Sequence, residues 1–218
     1  MQDILIYSDS LTWGIIPDTR QRLPFDKRWP GVFEKNLRDQ HYDVRVIENC
    51  LNGRRTVWSD PFKEGRDGSN GFAQVLEMHA PLKLVVILLG TNDFQSTHNN
   101  NAWMSAQGMA KLIQIVRTAP IEPHLPIPQI LVVSPPKMQQ PKGVLVTKFV
   151  GSVPRSIGLA AALKAVTQQQ QVHFFDAASV TDSSRVDGIH LDADQHVVLG
   201  EAIGHFVFQQ GLLEESVE

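Results

Sequence analysis

Cysteine is almost absent. Cys50 is the only one, which excludes an intrachain disulfide and any zinc site built on paired cysteines. An excess of basic charge is lacking too: 20 Lys and Arg stand against 23 Asp and Glu, a formal charge of −3. Nucleic-acid binders need a basic face, and the pairs Lys27-Arg28 and Arg54-Arg55 are too small to make one. The longest apolar run, Leu84 to Leu89, falls far short of the ~20 residues of a membrane span. No basic segment leading into a long apolar one follows Met1, so no secretory leader is expected and a soluble, cytoplasmic protein is. Low-complexity linkers and internal repeats are missing as well. At roughly 100–200 residues per domain, the chain is expected to form a single domain over 1–218.

What remains is enough for a large core: 42% of the residues are hydrophobic. Short apolar runs alternate with helical periodicity. Ile4–Tyr7, Asp43–Ile47, Leu84–Leu89, Ile130–Val133 and Val172–Phe175 read as strands. The run Leu84–Leu89 has no polar alternation, as in a central parallel strand covered on both faces. Between the strands, Trp29, Phe33 and Leu37 mark one helix, and 71–79 forms a short second one. Ala102, Ala106, Met109, Ile113 and Val116 fall on one stripe of a third. Leu159, Leu163 and Val166, then Leu199, Ala202, Ile203 and Phe206, mark two more. Five strands alternating with helices predict an α/β fold, a three-layer α/β/α sandwich on a five-stranded parallel sheet. The stretches 14–28, 59–71 and 134–155 carry no periodicity and read as irregular.

Open α/β sheets bind ligands outside the carboxyl ends of their strands. Four polar segments follow strands there: Ser8 to Gly14, Glu48 to Thr56, Gly90 to Phe94, and Val186 to Leu191. A hydroxyl nucleophile needs a neighbouring base, and the base an orienting acid. Ser10 can supply the hydroxyl and His190 can take its proton. Asp187 stands three residues before His190 across a glycine turn and can hold the ring. The negative oxygen formed on attack needs preorganised donors; the N–H groups of Ser10 and Gly53 and the Asn92 amide can converge on it. Leu11, Trp13, Phe149 and Ile189 are candidates for the substrate pocket. Against these readings stand plainer ones. Ser10 is also a good helix cap, and Asn92-Asp93 good turn formers. Arg54 and Arg55 suit a carboxylate ligand or ordinary salt bridges. Asp192, Asp194, His196 and His205 suggest either a metal site or a helix start; no metal is expected, since no His-x-x-x-His pair occurs.

The four segments resemble the signature blocks of the SGNH (GDSL-type) hydrolase superfamily. Asp9-Ser10-Leu11 matches the nucleophile block, Gly53 the second, Gly90-Thr91-Asn92-Asp93 the third, and Asp187-Gly188-Ile189-His190 the last. Asn52-Gly53-Arg54-Arg55-Thr56, with Asp60-Pro61 following, and Ser134-Pro135-Pro136 look like the bacterial arylesterase/acyltransferase (perhydrolase) branch. The resemblance implies a flavodoxin-like fold and a Ser-His-Asp serine esterase acting on small carboxylic esters without a cofactor. It also implies acyl transfer to alcohols or peroxide in some members, and homo-oligomers in several. One departure is Ser8, where the family usually has glycine; another is Cys50, where it often has Gly or Ser. A carbohydrate acetylesterase, a thioesterase or lysophospholipase of the same fold is the alternative. A non-catalytic flavodoxin-like binding domain is the alternative from another class, although Ser8 to Gly14 holds one glycine and an acidic residue where a phosphate would approach.

Overall fold

The computed structural model describes residues 1–19 and 21–214. Among them, β1 (Gln2–Ser8), β2 (Val44–Cys50), β3 (Leu84–Leu88), β4 (Gln129–Ser134) and β5 (His173–Asp176) form one sheet in the order β2-β1-β3-β4-β5. Every adjacent pair is parallel. The α/β expectation therefore holds, and the strand order is the flavodoxin-like one.

Period-two alternation assigns the two faces. Leu5, Tyr7, Val85, Ile87, Ile130 and Val132 point to one core, and Ile4, Ile6, Val86, Leu88, Leu131 and Val133 to the other. The first core is covered by α3 (Phe72–His79), α4 (Ala102–Thr118) and α7 (Leu159–Gln169), through Phe72, Met109, Leu112 and Leu163. The second is covered by α2 (Trp29–Asp39) and α8 (Ala193–Gln209), through Trp29, Phe33, Leu199 and Ile203. The strand edges run slightly beyond the apolar runs: β2 continues through Glu48-Asn49-Cys50, whose backbone still pairs with Ile6-Tyr7-Ser8.

The segment 134–155, expected to be irregular, contains two short helices, α5 (Leu145–Lys148) and α6 (Ser152–Ser156). Pieces of four and five residues are too short to show a period of 3.6. The segment 14–28 is closed by a bridge between Ile15 and Arg22 and ends in a 3-10 turn, Phe25–Lys27. Asp192 is tied to its helix, its N–H donating to Gln195 Oε1 at 2.8 Å in a capping box at the start of α8.

β1 and β3 are neighbours, but the chain leaves β1 for β2 on one side and returns from β2 to β3 on the other. The crevice of an α/β sheet opens at such a reversal. Ser10 follows β1 and Asn92 follows β3, so both stand at its lip.

Candidate active site

α1 (Ser10–Trp13) starts at once after β1. Its cap is Asp9, whose Oδ1 accepts the Leu11 N–H at 2.9 Å. The plainer role read for Ser10 thus falls to its neighbour, and the Ser10 hydroxyl faces His190 instead: Ser10 Oγ lies 3.1 Å from His190 Nε2. On the other side of the ring, His190 Nδ1 lies 2.6 Å from Asp187 Oδ2. The second carboxylate oxygen of Asp187 accepts the N–H groups of Ile189 and His190, both at 2.9 Å. Burial opposes the charge on Asp187, but the His190 ring and these two N–H groups outweigh it and hold the carboxyl below the usual carboxylate range.

The loop carrying Asp187 and His190 is closed on itself and strapped. Ser184 N–H donates to His190 O and Gly188 N–H to Ser184 O. The segment 139–142 then pairs with it, Gln139 N–H to Gly188 O and Lys142 N–H to Asp187 O. Gly188 has φ +82, and a Cβ there would lie 2.4 Å from Gln140 O. Only glycine serves both the turn and the strap.

The proposed oxyanion donors differ in how free they are. Among the described residues, no acceptor takes the N–H of Ser10 or of Gly53. Gly53 holds φ +85, with its neighbour Arg54 N–H closing a turn onto Leu51 O. Asn92 is more committed: its Nδ2 donates to Asp9 Oδ2 at 2.8 Å and to Arg54 O at 3.1 Å, while its Oδ1 accepts from Gln95 Nε2 at 2.6 Å. The amide thus ties the first, second and third blocks together. Burial pushes the Asp9 carboxyl up to about 6, against the pull of its hydrogen bonds and of His190.

Ser8, standing where the family usually has glycine, is accommodated by a buried chain of hydroxyls. Its Oγ donates to Leu88 O at 2.7 Å and accepts from Thr12 Oγ1 at 2.6 Å; Thr12 Oγ1 in turn accepts from Trp29 Nε1 at 3.0 Å. Cys50 is half-buried, its thiol against Ile6 O, and burial pushes its pKa well up, which disfavours the thiolate.

The pocket expectation needs correction. Leu11, Phe149 and Ile189 lie in the two cores, each at most 3% exposed. Trp13 is half-buried with the Arg22 guanidinium over its ring at 4.8 Å. The cleft beside His190, about 330 Å³, is walled instead by Ile15, Asp18, Thr19, Lys142, Val144 and Leu145. The physical reason is local: Leu11 lies on the α1 turn with its side chain in the second core, and the turn at Gly188 directs Ile189 into the first, while their neighbours Ser10 and His190 face each other. Arg54 and Arg55 are also settled as structural. Arg54 stacks over Tyr7 and donates to Ser8 O and Asn49. Arg55 is wholly buried, pairing with Asp60, Gln95 and Thr97. Gln95 was not singled out by the sequence, although its spacing of three from Asn92 puts both on one side of the 3-10 turn Thr91–Phe94.

Comparison with known proteins gives the same frame. The model of the GDSL-like lipase/acylhydrolase family matches residues 9–198. Among solved structures, Est24, a carbohydrate acetylesterase from Sinorhizobium meliloti, is 34% identical, with 96% of this chain and 100% of that chain covered and a TM-score of 0.89. The aryl esterase of M. smegmatis is also 34% identical, with 98% and 100% covered and a TM-score of 0.90. Comparison with curated proteins found no match. With the family's model running from the cap of the Ser10 helix into the helix that follows the His190 loop, this chain belongs to the GDSL-like lipase/acylhydrolase family.

Proposed function

We propose that this protein is a serine carboxylic-ester hydrolase in which Ser10, His190 and Asp187 act as a catalytic triad on small esters. One observation carries the reading: Ser10 Oγ, the His190 ring and the Asp187 carboxylate form an unbroken hydrogen-bonded line at the crevice. Ser10 Oγ attacks the ester carbonyl and gives its proton to His190 Nε2. The same proton then goes to the departing alcohol, leaving an acyl-enzyme. The unspent N–H groups of Ser10 and Gly53 meet the developing oxyanion, and Asn92 joins them by sharing an amide hydrogen now directed at Arg54 O. Water, activated by His190, resolves the acyl-enzyme to acid and free Ser10. An alcohol or peroxide in its place gives acyl transfer.

The cleft limits the substrate. Its volume of about 330 Å³, with Ile15, Val144 and Leu145 beside Asp18, Thr19 and Lys142, suits a short acyl group on a small alcohol. Aryl acetates and acetylated sugars both fit that description, in line with the named activities of the two similar structures. The polar side of the cleft favours a hydroxyl-bearing alcohol as a second reading. Association into a homo-oligomer belongs to the same proposal, supported by the exposed apolar Val144 at the cleft and the exposed Val146, Val150 and Ile157 that follow it in the chain. So does a cytoplasmic location, which suits a lone free cysteine.

The test is hydrolysis of p-nitrophenyl acetate and octanoate by the wild type and by Ser10→Ala. Acetate turnover that vanishes in the variant, together with organophosphonate labelling confined to Ser10, is the expected result. Turnover or labelling that survives Ser10→Ala overturns the proposal. The acetate to octanoate ratio reads the size of the acyl site.

A further inference from the structure

Asn92 has a side chain whose two ends are nearly the same shape and opposite in polarity. As an oxyanion donor it serves only with its NH2 end toward the nucleophile. What fixes that end is therefore part of the site, and it lies outside the triad.

The buried neighbours form a line in which each partner leaves the next no choice. Arg55 only donates. Its Nη2 lies 2.8 Å from Gln95 Oε1, so Gln95 must turn its oxygen toward Arg55. The Gln95 NH2 end then faces the other way and donates to Asn92 Oδ1 at 2.6 Å. With its oxygen engaged there, Asn92 presents its NH2 end to Asp9 and to the Arg54 carbonyl. Arg55 itself cannot swing, because it also holds Thr97 Oγ1 at 2.7 Å, the Ser59 carbonyl and the Asp60 carboxylate. Arg55, Gln95 and Asn92 are each at most 4% exposed, so water does not offer an alternative partner.

We propose that Arg55 and Gln95 are positioning residues that set the direction of the Asn92 amide at the oxyanion site. The inference rests on the proposed function, since Asn92 must be an oxyanion donor for its direction to matter. The polarity starts from a fixed cation and passes through two amides to the residue next to Ser10. Asp9 reads the same polarity from the far end, because an ionised carboxylate accepts only. The Asn92 amide is therefore gripped from both sides.

Gln95→Glu is the informative change. It keeps the shape and the pairing to Arg55, but the ionised carboxylate it introduces cannot donate to Asn92 Oδ1. Asn92 then either loses that bond or turns its NH2 toward the new carboxylate and its oxygen toward Asp9. Gln95→Met, of similar length and without a donor, is the second variant. Each is assayed on p-nitrophenyl acetate alone and combined with Asn92→Ala, alongside binding of a tetrahedral mimic such as a short-chain alkylboronic acid and thermal unfolding.

Asn92→Ala alone should lower kcat on the order of 10²–10³-fold. Gln95→Glu should lower kcat on the order of 10–100-fold with KM nearly unchanged, part of what a full oxyanion donor is worth. Boronic acid affinity should fall in parallel. In the Asn92→Ala background, Gln95→Glu should cost nothing further, because its target is gone. Gln95→Met should follow the same pattern. Equal losses with and without Asn92 would show a general structural effect and overturn the relay, as would unchanged kcat in a folded Gln95→Glu. If Asn92→Ala itself keeps wild-type kcat, the oxyanion assignment fails rather than the relay alone.

Discussion

At the scale of single residues, the state of His190 is set by Asp187. Oδ1 of Asp187 is held by two backbone N–H groups, from Ile189 and His190. Oδ2 is thus the oxygen left for His190 Nδ1. A carboxylate only accepts, so Nδ1 carries the ring hydrogen and Nε2 faces Ser10 Oγ without one, the state that the proposed triad requires. In Asp187→Asn the two N–H groups keep the amide oxygen where Oδ1 was. The NH2 then takes the place of Oδ2 and donates to Nδ1. The ring hydrogen moves to Nε2, where it faces Ser10 and blocks proton transfer. Fold and unfolding temperature should change little, because the backbone bonds persist. Turnover of p-nitrophenyl acetate at pH 7 should fall about 10⁴-fold, the cost of the wrong tautomer in Ser-His-Asp hydrolases. A loss under tenfold would mean that Asp187 does not set the tautomer.

At the scale of elements, the difference between what the sequence makes plain and what it conceals follows from how each part is stabilised. The strands Leu84–Leu88 and Gln129–Ser134 are legible because burial on both faces demands uninterrupted apolar runs. The helices covering them are legible from their stripes. Ser10 and Asn92 stand out as candidates because each comes just after a strand, and Asp187 and His190 because they share a recognisable block beyond the loop that follows β5. The cleft wall is not. Ile15, Val144 and Leu145 lie on segments whose path depends on an isolated bridge between Ile15 and Arg22 and on the strap between 139–142 and 187–188. Phe149 looks like a lid residue by position, yet its N–H returns to Leu145 O at the end of α5 and its ring enters the core.

The strap itself can be tested. Gly188→Ala must place a Cβ 2.4 Å from Gln140 O at φ +82. Gly65→Ala places one at φ +70 in open space. Both incur the left-handed backbone cost of roughly 1–2 kcal/mol, and only the first also forces 139–142 away from the His190 loop. Gly188→Ala should therefore unfold at a lower temperature than Gly65→Ala, and it alone should lose turnover. Matching melting curves and equal kcat in the two variants would show that the strap does not hold His190 in place.

At the scale of the whole molecule, buried ionisable groups make stability depend on pH in opposing ways. Burial pushes the Asp9 and Asp93 carboxyls up from 3.8 to about 6. Between pH 4 and 6 the folded state holds more protons at these sites than the unfolded chain does, so they favour folding as pH falls. His196 acts the other way. It lies at the junction of α2 and α8, its Nδ1 accepting the Trp29 N–H at 3.2 Å. That bond leaves the ring hydrogen on Nε2, which has no partner among the described residues. Burial, then the nearby Arg28 and His190, lower its pKa from 6.5 to about 4. As pH falls below 6.5 the unfolded chain takes up a proton that the folded ring refuses, and stability is lost until about pH 4. At pH 5 the loss amounts to about 2 kcal/mol, one and a half units below 6.5 at 1.36 kcal/mol per unit. In His196→Asn, the Asn Oδ1 can replace Nδ1 as acceptor for Trp29, and the titrating group is removed. The comparison is urea unfolding of both proteins at pH 7.5 and pH 5.0. Any packing change from the smaller side chain enters at both pH values and cancels, as do Asp9 and Asp93. Stability lost between the two pH values should be smaller in the variant by about 2 kcal/mol. An identical loss in both proteins would mean that His196 takes up a proton in the folded state, with the α2–α8 junction open to it.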